Sequence, residues 1–112
     1  GLELARGAQL TTRLNASQLP VLPGVMALAE QGIVTGASGR NWASYEDSVQ
    51  LGAHITAAHK GLLTDPQTSG GLLVSCTEQA LPQVLEIFKQ HGFAQAQVVG
   101  RMEAGPAQVI VD

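Results

Sequence analysis

The chain is poor in the residues that announce chemistry. It has one cysteine, Cys76, two lysines, Lys60 and Lys89, and an aromatic content of 4%. A single cysteine excludes an internal disulfide and fits a reducing compartment, so a cytoplasmic location is expected. Charged residues make up 13% and the net charge is −3. That balance lacks the basic footprint of a nucleic-acid binder. No apolar run approaches the length that crosses a bilayer, so no membrane partner is expected. The opening Gly-Leu-Glu-Leu-Ala-Arg is not a signal-peptide pattern. A surface so thin in charge is expected to be covered in part by something else.

What is present is enough for one domain. The 112 residues are 45% hydrophobic, which argues against disorder, and a chain of this length buries about two-thirds of its unfolded surface. Gly1–Arg6 reads as the last turns of a helix stopped by Gly7. No cap precedes it and no Met opens it, so a piece of a longer protein is expected, with catalytic groups upstream.

Leu10, Thr12 and Leu14 alternate and predict a strand over Gln9–Leu14. Pro23–Gln31 reads as a helix stopped by Gly32. Gly32–Trp42 holds three glycines before Arg40 and reads as a loop. Ala43–Leu51 fits either a strand or a helical turn. His54–Leu63 predicts a short helix. Gly71–Cys76 reads as an apolar strand, and Thr77 as the cap of a helix over Glu78–His91 with Leu81, Val84, Leu85 and Phe88 on one face. Gly92 ends that helix. Gln95–Arg101 and Ala107–Val111 read as strands joined by a turn at Glu103–Pro106. The fold class expected is α/β, a mixed sheet with packed helices.

The stretch around which the rest is organised is Leu63–Val74, in which Asp65, Pro66, Gln67, Thr68, Ser69, Gly70 and Gly71 form a polar loop between apolar runs. Pro66 fixes its own φ and keeps Asp65 out of the helical region. Gly70 and Gly71 permit positive φ or a close approach. The flanking leucines and Val74 are expected to anchor the loop in the core. Asp65 reads either as a metal or proton-transfer carboxylate or as a cap for backbone N–H groups, and it has no paired carboxylate nearby in sequence. Thr68–Gly71 reads either as a nest of N–H groups for an anion or as a tight turn. Arg40 could pair with phosphate, or be a solvated loop side chain beside an Asn41 of unusual φ. No Gly-Lys-Ser/Thr follows the glycines at 32–39, so this is not a phosphate-binding loop of the Walker type. His54 and His59 are five apart and do not share a helical face, so no zinc site is expected. Cys76 reads as a buried core thiol.

Asp65-Pro66-Gln67-Thr68-Ser69-Gly70-Gly71 resembles a signature of the bacterial selenophosphate synthetases. Gly39-Arg40-Asn41-Trp42 with Ser44-Tyr45, and Pro20–Val25, resemble the same family, in order and over nearly all the chain. The resemblance implies the C-terminal domain of a two-domain enzyme of the aminoimidazole-ribonucleotide-synthetase superfamily, N-terminally incomplete over residues 1–112. Such enzymes convert ATP, selenide and water to selenophosphate, AMP and phosphate. It also implies ATP and Mg2+ as cofactors of the complete enzyme, a homodimer, and a missing N-terminal domain as partner. The reactive Cys or selenocysteine, its Lys and the metal aspartates belong to that missing part, so no ligand is expected on these residues alone. Asp65, Gln67, Thr68, Ser69, Gly70, Gly71, Arg40 and Asn41 become candidates for a substrate or phosphate cleft, with no catalytic residue and no metal ligand among them. Two other readings stand beside it: a non-catalytic interaction or regulatory module, and a related ATP-dependent small-molecule kinase of the superfamily.

Overall fold

The computed structural model describes all 112 residues. Helix α1 spans Leu2–Ala8 and runs one residue past the expected stop at Gly7. It ends instead at Gln9, in the left-handed region at φ 54°. There the Leu10 N–H reaches the Ala5 carbonyl at 3.1 Å and the Gln9 N–H reaches that of Arg6 at 3.4 Å. This double closure holds a non-glycine residue in a conformation that glycine fills more easily. Strand β1, Thr11–Leu14, follows. Helix α2 is Val25–Glu30, shorter at both ends than expected, and Gly32, at φ 80°, turns the chain after it.

The segment read as a glycine loop is half helix. Residues 32–37 are irregular, but α3 spans Ser38–Tyr45, with Gly39, Arg40 and Asn41 inside it. Trp42 and Tyr45 lie three apart on one face and meet edge-on at 6.4 Å. Packing of that face outweighs the helix cost of a glycine, about 1 kcal/mol. A 3-10 turn at Glu46–Ser48 leads into β2, Val49–Leu51. Helix α4 is Ala57–Leu63 and packs on α2. Gly61 lets the segment after α2 lie close against α4, because a Cβ there would stand 2.7 Å from Val34 Cγ1. Helix α5 is Leu81–Gln90. Its start falls after the Thr77 turn, which places Pro82 in the first turn where proline costs least. The predicted face holds, since Leu81, Val84, Leu85 and Phe88 are its half-buried residues. Strands β3, Gly100–Glu103, and β4, Val109–Val111, close the chain.

The four strands form one mixed sheet in the order β2-β4-β1-β3. β1 pairs antiparallel with β3 and parallel with β4, and β2 is parallel to β4. The last two strands therefore do not form a hairpin, because β1 lies between them. Their connection passes the start of β1, where the Thr11 hydroxyl donates to the Pro106 carbonyl at 2.7 Å. The expected strand at Gln95–Arg101 begins only at Gly100, where a Cβ would overlap the Arg13 carbonyl of the neighbouring strand.

The expected strand at Gly71–Cys76 is absent: the segment is irregular and joins no ladder. Its apolar residues are not core anchors, since Leu72, Leu73 and Val74 are 83%, 40% and 51% exposed. Cys76 is exposed rather than buried. A strand is defined by its partner, and none of the four sheet strands offers it one.

The register separates the sheet faces. Thr12, Leu14, Val49, Leu51, Val109 and Val111 fall on one face, toward the helices. Arg13, Gln50, Arg101, Glu103 and Ile110 fall on the other. Between the apolar face and Trp42, Tyr45 and Leu63 lies a cleft of about 300 Å³. The core is small: the buried apolar side chains are Ala5, Ala29, Ala58, Val109 and Val111. No helix is long and apolar enough to cross a membrane.

Candidate functional site

The polar loop leaves the C-terminal end of α4, and that helix is fixed at both ends. At its start Thr56 and His59 cap each other. The Thr56 hydroxyl accepts from the His59 N–H at 3.4 Å, and His59 Nδ1 accepts from the Thr56 N–H at 3.3 Å. This is a capping box with imidazole in the place usually taken by Glu or Gln. At its end Thr64, 4% exposed, donates its hydroxyl to the Lys60 carbonyl at 2.8 Å. The Thr64 carbonyl, left free by the end of the helix, accepts from Asn41 Nδ2 at 2.8 Å. The Lys60 ammonium stands 4.7 Å from the centre of the Trp42 ring, a cation–π contact. Two residues of α3 thus hold the last turn of α4, and with it the root of the loop.

From that root the loop projects into solvent. Asp65 is half-buried, and Gln67 through Gly71 are exposed. Asp65 Oδ2 meets Gln67 Nε2 at 3.5 Å, at the outer limit of a hydrogen bond, and caps no backbone N–H. The hydroxyls of Thr68 and Ser69 make no hydrogen bond within the chain. Neither Gly70 nor Gly71 has a positive φ. A Cβ on Gly70 would make only ordinary contacts, 3.4 and 3.6 Å from Gln67. Thr68 and Ser69 form a turn, and no backbone N–H from residue 67 to 71 makes a well-formed hydrogen bond to a backbone carbonyl. The loop is therefore a row of unspent donors on a fixed base.

Arg40 and Asn41 do not form a phosphate cradle with it. Asn41 has regular helical hydrogen bonding, its N–H reaching the Ala37 carbonyl at 2.9 Å, and its side chain is used in holding Thr64. Arg40 is exposed and donates to the Gly36 carbonyl at 3.3 Å. The structure brings Asn41 to the loop root and leaves Arg40 on the outer face of α3. Sequence reasoning missed Thr64, Trp42 and Lys60 as the clamp. The available signal was the Lys60, Thr64 spacing of four, which lets a helical Thr hydroxyl bond the preceding turn.

Two clefts lie on the faces of the sheet. The cleft beside Trp42 is lined mainly by aliphatic side chains, with Trp42, Tyr45 and Thr64 bringing its polar atoms, and burial raises the Tyr45 phenol above its ordinary pKa. On the opposite face, a cleft of about 310 Å³ includes Arg13, Asn15, Gln18, Arg101 and Asp112. Its guanidiniums are already paired. Arg13 bonds Glu103 at 3.0 Å and also Asp112, while Arg101 bonds Glu103 at 3.1 Å. The hydrogen bond from Arg13, followed by that from Arg101, holds the Glu103 carboxyl below its ordinary value. This network ties β3, β1 and the end of β4 together and leaves no free cation for an anion.

No three His, Cys, Asp or Glu side chains converge anywhere in the chain. Asp65 stands without a second carboxylate, so the donor set present does not fit a magnesium ion, and no lysine is free at the loop to meet a nucleotide phosphate.

Comparison with known proteins follows the same line. Curated relatives named selenide, water dikinase include those of Pseudomonas straminea, 66% identical over 99% of this chain, and of Paraburkholderia xenovorans, 56% identical over 98%. That of Burkholderia pseudomallei is 54% identical over 98%. The chain spans 31% of the length of each of these relatives. The family described as AIR synthase related protein, C-terminal domain, matches residues 2–112. The mixed sheet with its helices and this match over residues 2–112 agree: the chain belongs to the AIR synthase related protein C-terminal domain family.

Proposed function

We propose that these residues form the C-terminal domain of a selenide, water dikinase, a phosphotransferase that makes selenophosphate, AMP and phosphate from ATP, selenide and water. The observation that carries this reading is identity of 66% over 99% of the chain to a protein of that name. The domain's own part is to close one side of the active cleft. The free N–H groups and hydroxyls of Thr68–Gly71 face the cleft, orient phosphate oxygens and exclude water from a labile phosphoryl species. Asp65 and Gln67 shape the entrance to that row, and Asn41 acts at one remove by holding Thr64. Arg40 lies on the outer face and has no direct part.

The nucleophile, the ATP site and the Mg2+ ligands belong to the remainder of a longer polypeptide, which works in the cytoplasm as a homodimer. The domain's surface supports that division. It exposes 7697 Å², whereas a compact monomer of 11.6 kDa exposes about 5,800 Å². The radius of gyration is 14.6 Å, against about 13 Å for a compact domain of this length.

Phosphorus NMR of the longer protein with ATP, magnesium and selenide tests the assignment. Selenophosphate and AMP should appear together, and residues 1–112 alone should give no AMP above background. AMP formation by the isolated domain, or ATP consumption without selenophosphate by the longer protein, would overturn it.

A further inference from the structure

In the first turn of α4 an imidazole stands where a capping box usually has Glu or Gln. His59 Nδ1 lies 3.3 Å from the Thr56 nitrogen and 2.9 Å from the Thr56 hydroxyl oxygen. A backbone N–H only donates, so Nδ1 is the bare nitrogen of a neutral ring. A proton taken from solvent onto Nδ1 turns that acceptor into a donor facing the Thr56 N–H. It also sets a positive charge in the first turn of a helix, where the backbone dipole is already positive. The protonated ring can still donate to the Thr56 oxygen, so the cap weakens rather than disappears. Gln in the same place carries no such dependence.

We infer that His59 is a positioning residue for the polar loop at 65–71, and that its protonation makes the setting of that loop, and the activity resting on it, sensitive to pH. α4 has seven residues, Ala57–Leu63, so the cap is only about two turns from the root of the loop at Thr64. A helix that short has little stability of its own and depends on its ends. Its far end is held by Asn41 and by the Thr64 hydroxyl, which leaves the start as the end that can change. The other titratable groups around α4 do not occupy the ring. α4 itself adds Lys60, whose ammonium lies over Trp42, and His54 precedes it. α2, packed on α4, brings only Glu30. α3 brings Tyr45 and Arg40, the latter bonded to the Gly36 carbonyl. The polar contacts of the His59 ring within the chain are both to Thr56. The effect on rate rests on reading the loop as a wall of the active cleft; the effect on the loop rests on the geometry of α4 alone.

An NMR titration and steady-state rates of the longer protein test it together. The amides of Thr56, Thr64, Asp65 and Gln67–Gly71 should shift with the same midpoint as the His59 ring protons. In His59→Gln, which keeps a side-chain acceptor for the Thr56 N–H, that shared step should vanish, and any step left at the loop belongs to Asp65. AMP formation by His59→Gln should match the wild type at about pH 8 and exceed it roughly two- to fivefold at about pH 5.5. The gain should appear in kcat and leave the KM for ATP unmoved. His59→Ala, which has no acceptor in either condition, should be slower than the wild type on the alkaline side. Loop amides that ignore the ring would overturn the inference. So would a ratio of His59→Gln to wild type that stays flat with pH, or wild-type rates in His59→Ala on the alkaline side. Failure of the longer protein to make selenophosphate would overturn the proposed function and leave the amide titration to decide the inference.

Discussion

Gly100 and Glu103 sit at the two ends of one strand and set its pairing by opposite means. Gly100 works through what it lacks. A Cβ would overlap the Arg13 carbonyl across the ladder, so Gly100→Ala must push β3 away from β1. Overpacking of this kind costs about 1–3 kcal/mol, and backbone rather than a movable side chain is in the way. Denaturant unfolding should show a loss at or above the top of that range. Glu103 works through charge. Arg13 and Arg101 stand directly opposite in the register, and Glu103 bonds both. Its carboxyl is lowered in the folded state from an ordinary value of 4.5. The stability it contributes is therefore fully present above that value and is lost as pH falls through the lower folded one. Melting temperature followed from neutral pH down into the acid range should drop through this window. In Glu103→Gln the part of the drop due to this group should vanish, leaving a lower but flatter profile.

At the scale of elements, the helices differ in how openly the sequence shows them. The α5 face, Leu81, Val84, Leu85 and Phe88, was legible because its period and its stop at Gly92 are local signals. α4 was legible in kind, but its cap, a Thr56 and His59 pair, was not, because imidazole seldom fills that role. α3 was hidden because three glycines between residues 32 and 39 outweigh helix propensity in any local reading. What makes it a helix is distant: Trp42 and Tyr45 over the sheet, and Asn41 on Thr64. The same limit explains Gly71–Cys76, where pattern predicts a strand but only a partner can make one. The Asn41 bond is the element-scale test. Asn41→Ala removes one hydrogen bond to a half-buried carbonyl and should cost about 1 kcal/mol. In the longer protein it should loosen residues 64–71 and slow AMP formation, whereas Arg40→Ala, on the outer face of the same helix, should do neither. Thermal melts and steady-state rates of the two variants check this.

At the scale of the molecule, the polar loop and the exposed strip after it are one continuous piece of unfinished structure. The apolar sheet face is covered in part by helices, the charged face by its own ion pairs, and residues 66–79 are exposed throughout. A domain of 112 residues with five buried apolar side chains reads as part of a larger body. The loop's identifying sequence, Asp65–Gly71, was legible from the residues alone. The clamp at its root, Thr64 held by Asn41, was not, because that contact joins residues 23 apart, and the role proposed for the loop as one wall of a cleft awaits its test. The most direct test of that role is Gly70→Val in the longer protein, with AMP formation and the melting curve measured together. The domain has room for a Cβ at Gly70, so the melt should move little, while a branched side chain in the cleft should lower the rate by roughly tenfold or more. Wild-type rates in that variant would contradict the account.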